Sequence, residues 1–119
     1  MPIFQHQYLY EVCHSIFQAL GASKEESTIV STHLVKANLV GHDSHGVIQV
    51  PIYAERIKIG HIIPGAPIDI LDETHTTARI KGNWGFGYVV TEKAMNMAIE
   101  KARTHGVSAI TVSLQSHIG

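Results

Sequence analysis

The run Pro64-Gly65-Ala66-Pro67 separates two stretches with different hydrophobic periods, and this change constrains the fold more than any other feature of the chain. Before the break, apolar residues recur at three- and four-residue steps, the spacing of helices buried along one face. After it, Ile68 to Asp72 and Thr77 to Lys81 are short runs flanking a turn at Thr74-His75, and they read as a hairpin. Neither an all-helical nor an all-β architecture accommodates both patterns. The chain is therefore expected to be α+β, with a helical region over 1–66 and the beginning of an incomplete α+β domain over 67–119.

Within the first region, Gln5 to Leu20 places Leu9, Val12, Cys13, Ile16, Phe17 and Leu20 on one helical face, and Gly21 supplies a stop. Ser23-Lys24-Glu25-Glu26 has the form of a capping box and starts a second helix, expected to bury Val30, His33, Leu34, Ala37 and Val40 before Gly41 ends it. The polar segment Gly41 to Gly46 interrupts the pattern. Val47, Val50, Ala54 and Ile57 then resume it as far as Gly60, in a helix starting near Val47 or His45 whose first turn tolerates Pro51.

Beyond the hairpin, Tyr88 to Thr104 reads as a helix with Val90, Ala94, Met97, Ala98 and Ala102 inward, stopped by Gly106. Val107 to Val112 reads as a buried strand with only the hairpin to pair with. A sheet so small is marginal without further cover, which makes the chain read as the N-terminal part of something longer.

Composition removes several classes of function. The 119 residues suit one domain or a piece of one, and with 45% apolar and 16% charged residues the chain can bury a core. Nine Lys and Arg against ten Asp and Glu leave no basic footprint for nucleic acid or an anionic membrane surface. No apolar run approaches the ~18 residues of a membrane span. A lone Cys13, placed on an apolar stripe, forms no internal disulfide, and a cytoplasmic setting fits best.

The candidates for chemistry are mostly histidines, of which the chain has nine. His42-Asp43-Ser44-His45 is the densest cluster, yet it lacks the three or four protein ligands that zinc requires, so no metal site is expected. Asp43 or Ser44 can equally be a simple helix N-cap. If the third helix includes His45, then His45, Gln49, Tyr53 and Arg56 share one polar face, which is either solvated surface or a substrate-lining surface of moderate hydrogen-bonders.

Gly82-Asn83-Trp84-Gly85-Phe86-Gly87 lies between a strand and a helix, but its spacing is not that of a dinucleotide-binding glycine loop. It is expected to be a tight connection with Trp84 and Phe86 packed beneath it. His117, beside Ser116 at the end of the last strand, sits where a general acid or base is often mounted. His33 reads as a partly buried structural residue, and His6, His14, His61, His75 and His105 as surface or capping residues.

Gly41-His42-Asp43-Ser44-His45-Gly46-Val47 in register with Pro51, Tyr53 and Gly60 resembles the signature of the type-2 malate/L-lactate dehydrogenases, a family that also includes ureidoglycolate, sulfolactate and diketogulonate oxidoreductases. The similarity continues through Lys81 to Gly87, Ala94-Met95 and Ala98-Ile99, and into Ser116-His117-Ile118-Gly119, so it covers essentially the whole chain. It implies a helical N-terminal region packed on a non-Rossmann domain with a mixed, largely antiparallel sheet that holds NAD or NADP. It further implies a homodimeric enzyme interconverting a small 2-hydroxy carboxylate and its 2-oxo acid. By position, the acid/base would be His117, or in other members His45, with Ser44, His45 and Tyr53 lining the substrate pocket.

Imidazole suits that role because hydride transfer at C2 is coupled to proton movement at its oxygen near neutral pH. Gln49 stands where many members have Arg, and its amide can hydrogen-bond a substrate carboxylate but cannot clamp it as a guanidinium does. Arg56 is ~10 Å further along the helix axis, too far to replace it directly. Relatives continue past Gly119 with the rest of the sheet and most of the cofactor contacts, so residues 1–119 are expected to be inactive alone. The competing reading from a different class is a small standalone interaction module whose histidines are incidental.

Overall fold

The computed structural model describes residues 2–118, which form two compact units, one ending at Gly65 and the other running from Ala66 to Ile118. No helix among the described residues is long and apolar enough to cross a membrane.

The first unit contains helices α1 (His6–Ala19), α2 (Lys24–Leu39) and α3 (Gln49–Lys58), with a 3-10 turn at Asp43–His45. Helix α1 buries Cys13 and Phe17 from its apolar stripe. Helix α2 opens with the expected capping box: the Ser23 hydroxyl accepts from the Glu26 amide at 3.1 Å, and Glu26 Oε2 accepts from the Ser23 amide at 2.9 Å. The other oxygen of the same carboxylate accepts from the Gly65 amide at 2.8 Å, so Glu26 also anchors the far end of the unit. A carboxylate in the first turn complements the positive end of the helix.

Val30, Leu34 and Val35 of α2 are buried together with Ser27 and Ser31, whose hydroxyls have no hydrogen-bond partner. Each such orphaned group costs ~1–3 kcal/mol, offset here by the apolar surface buried around it. Val40, expected inside, is instead 71% exposed, because α2 ends at Leu39 and the chain turns at Gly41 before the apolar face can continue.

The second unit holds strands β1 (Asp69–Glu73) and β2 (Thr77–Lys81), helix α4 (Gly87–His105) and strand β3 (Ala109–Ser113). β1 and β2 form the expected antiparallel hairpin, with an irregularity between Ile70 and Asp72, while β3 lies parallel to β2 on its other side. A parallel neighbour needs a crossover, and α4 provides it. The sheet is therefore mixed, and the unit is α+β. Ile80, Val90 and Ala94 form its core, with Ile68, Met97, Ile110 and Val112 packed against them.

Strand β3 is not buried as its apolar sequence suggests: Ile110 and Val112 are half-buried, and Ala109, Thr111 and Ser113 between them are exposed. The side-chain period of two sends alternate residues to opposite faces, and only the face carrying Ile110 and Val112 meets the core.

Candidate functional site

The segment between α2 and α3 does not continue the helix through His45. Asp43 to His45 form a separate 3-10 turn, residues 46–48 turn again, and α3 begins only at Gln49, with Pro51 in its first turn where a missing amide hydrogen costs nothing. This interruption draws Ser44, His45 and Gln49 together. The Ser44 hydroxyl and His45 Nδ1 are hydrogen-bonded at 2.9 Å, and Gln49 Nε2 donates to the Ser44 carbonyl at 2.8 Å. The His42 ring stacks on His45 with centroids 4.2 Å apart and planes 28° from parallel.

Stacked rings place their in-plane nitrogen lone pairs side by side rather than converging on one point, an arrangement poorly suited to sharing a metal ion. Among the described residues no group of three or more His, Cys, Asp or Glu side chains could hold one.

Of the face expected for His45, Gln49, Tyr53 and Arg56, the last three do follow one another along α3, but His45 lies outside that helix in the 3-10 turn. Tyr53 is 1% exposed and lies in the core of the first unit, its ring 6.3 Å from that of Phe17, while Gln49 and Arg56 are half-buried. The break between the 3-10 turn and α3 removes His45 from the helical period, and within α3 Tyr53 is buried with Val50, three residues before it, because its large ring gains more from burial than from solvation.

His117 belongs to the second unit and is exposed, in a segment seated on the glycine-rich connection. The Trp84 amide donates to the Leu114 carbonyl at 2.7 Å, the Gly82 amide to Ser113 at 2.8 Å, and the Ser116 amide to Gly85 at 3.2 Å. A Cβ on Gly87 would lie 2.3 Å from the His117 carbonyl oxygen and 2.4 Å from that of Ser116, so only glycine allows this approach. The expected tight connection is present, but only Phe86 packs inward; Trp84 is 48% exposed.

Asn83, Trp84 and Leu114 have φ values of 50°, 62° and 50°, a left-handed conformation that costs a non-glycine residue roughly 1–3 kcal/mol where the surroundings impose it. Asn83 is secured by its amide, which donates to the Pro67 carbonyl at 2.7 Å and to Asp69 Oδ2 at 2.8 Å. The Gly82, Trp84 and Gly85 amides are bonded within the protein and Gly87 is covered by residues 116–118, so these groups are not turned to a phosphate as in a dinucleotide cradle. Gly119, the last residue of the sequence motif, lies outside the described residues.

Tertiary structure pairs several of the remaining histidines. His14 Nε2 lies 3.2 Å from the Thr28 hydroxyl, and the rings of His75 and His105 stack with centroids 5.3 Å apart at the rim of an open cleft of about 720 Å³ that includes Glu73 and Lys101. Cys13 is buried, and desolvation pushes its thiol pKa up against the opposing pull of a backbone hydrogen bond.

The bracing role of two residues escapes a sequence reading. Asn38 and Asn83 each brace a candidate segment through one carboxamide, and an isolated Asn inside a helical period or a glycine run carries no pattern to mark it.

The malate/L-lactate dehydrogenase family model matches residues 4–119. The chain belongs to this family. Hydroxycarboxylate dehydrogenase B of Escherichia coli (strain K12) is 34% identical over 116 residues, 98% of this chain and 32% of the relative. The malate/(S)-sulfolactate dehydrogenase of Methanothermus fervidus is 41% identical over 104 residues, 87% of this chain and 31% of that protein. The solved structure of sulfolactate dehydrogenase from Methanocaldococcus jannaschii superposes with a TM-score of 0.97 at 33% identity, over 99% of this chain and 34% of that one. The chain thus spans about a third of the length of these hydroxyacid dehydrogenase relatives.

Proposed function

We propose that this chain is the N-terminal part of an NAD(P)-dependent oxidoreductase that interconverts a small, malate- or lactate-like 2-hydroxy acid and its 2-oxo acid. The observation that carries the reading is the turn from His42 to Gln49, where a hydroxyl, an imidazole and an amide are held together in a chain whose relatives are hydroxyacid dehydrogenases. Oxidation at C2 removes a hydride from carbon and a proton from oxygen, and reduction returns both. The hydride chemistry belongs to a nicotinamide cofactor bound largely by residues outside this chain. This chain's task is the proton, moved at the C2 oxygen by His117 or by His45, with Ser44 and the turn around it orienting the substrate.

Gln49 serves the turn itself by holding the Ser44 carbonyl. That bond uses one of its two amide N–H groups, and the other is left to hydrogen-bond a substrate carboxylate, without the bidentate grip of a guanidinium.

The test is NADH and NADPH oxidation by the intact natural protein against a panel of small 2-oxo acids, beside residues 1–119 alone, which are expected to show no turnover. His117→Ala and His45→Ala are then compared, and losing the acid/base lowers kcat by at least ~100-fold. A mild effect in both variants would exclude a proton-transfer role for this chain.

A further inference from the structure

The Ser44–His45 turn is braced from a residue to which no role has been assigned, Asn38 in the last turn of α2. Its Nδ2 donates to Asp43 Oδ1 at 2.7 Å, and its Oδ1 accepts from the Val47 amide at 2.8 Å. One planar carboxamide thereby fixes both ends of a short segment whose interior contains Ser44 and His45. The two bonds also determine which way the amide faces, since the reverse orientation would aim an oxygen at a carboxylate and an NH2 group at an N–H.

Gly46 completes the arrangement. A Cβ there would lie 2.1 Å from Asn38 Oδ1 and 2.4 Å from its Cγ, so the buried glycine backbone lies directly against the amide. Inside this frame, Gln49 holds the Ser44 carbonyl, and His45 is held by the Ser44 hydroxyl and by stacking on His42.

We propose that Asn38 is the positioning residue of the Ser44–His45 pair, acting through Asp43 and Val47 rather than through substrate. The catalytic part of this inference rests on the hydroxyacid dehydrogenase reading above, while its geometric part does not. No other side chain of this size does both jobs. Asp accepts from the Val47 amide but sets a second carboxylate against Asp43, and Leu does neither.

The chemistry supplies its own rescue. In N38D/D43N the donor and acceptor change places, so the carboxylate at position 38 accepts both from the new amide at position 43 and from Val47.

The experiment compares wild type, N38D and N38D/D43N of the intact natural protein by 2-oxo acid reduction and by the ring-proton NMR shifts of His42 and His45, which report the stack. N38D is expected to lose about 100-fold in kcat with KM little changed, because a displacement near 1 Å at a reacting group costs that much, and to lose the stacked shifts. N38D/D43N is expected to recover both, to within about threefold in kcat. Wild-type behaviour of N38D, or a double variant as impaired or as poorly folded as the single one, overturns the proposal. If His45→Ala leaves kcat unchanged, the placement of His45 in the reaction fails by itself, and the ring shifts still decide whether Asn38 holds the turn.

Discussion

Gly87→Ala separates two effects of opposite sign. Gly87 is the first residue of α4, and replacing a helical glycine by alanine ordinarily stabilises by up to ~1 kcal/mol, since alanine has less backbone freedom to lose. Here the added Cβ would meet the His117 carbonyl oxygen at 2.3 Å, the Ser116 carbonyl oxygen at 2.4 Å and Ile118 Cγ2 at 2.4 Å. Real Cβ contacts essentially never fall below 3.0 Å, so segment 116–118 must retreat by at least the 0.7 Å that separates 2.3 from 3.0. Two of the three contacts are backbone, which cannot move aside by changing a rotamer, and overpacking of this kind typically costs ~1–3 kcal/mol.

The net expectation for Gly87→Ala is a loss of roughly 0–2 kcal/mol and a displaced His117. If His117 moves the proton, kcat falls by about 100-fold. Thermal melting and steady-state kinetics of the intact protein measure both quantities. A variant with a raised Tm and undiminished kcat would show that helix propensity prevails and that the glycine seat does not hold His117.

Tyr53→Phe keeps the buried ring against Phe17 and tests the hydroxyl in turnover, whereas Tyr53→Ala leaves a cavity and is expected to cost ~3–5 kcal/mol in denaturant unfolding. Glu26→Ala removes the reciprocal half of the capping box and the anchor on Gly65 together, and should lower stability by ~1–2 kcal/mol; an unchanged Tm would contradict the assignment. Cys13 should react slowly with a thiol reagent at neutral pH until the protein unfolds, because burial disfavours its thiolate. Its folded pKa is raised, so its contribution to stability is complete below the unfolded thiol pKa and is lost as pH rises through the folded value, which an alkaline unfolding series would detect.

Much of the fold is legible in the sequence because it is specified locally. Four helices, their glycine stops, the capping box at Ser23 and the hairpin about Thr74 all follow from spacing and cap chemistry within a few residues, and the structure has them with ends shifted by a residue or two, except that α3 starts two residues after Val47 and four after His45. The family is legible too, since the Ser44-His45 segment and its companions are contiguous motifs. Burial is less so: extending the helical period past its true ends misplaced Val40 and put His45 into a helix that begins after it, and the face of Gln49 and Arg56 does not reveal that Tyr53 between them is buried.

What the sequence determined by itself, then, is the order and type of the elements and the candidate imidazoles. Tertiary structure decided their surroundings: that Tyr53 is core, that Trp84 turns outward, and that β3 has only one covered face. It also made Asn38 and Asn83 braces and gave Gly46 and Gly87 contacts that exclude any side chain. The physical reason is range. Propensity, capping and period act between neighbours along the chain and leave a pattern in it, whereas a carboxamide spanning a turn or a carbonyl pressed against a glycine depends on residues 5 to 30 positions apart meeting in space, and no local pattern encodes that meeting.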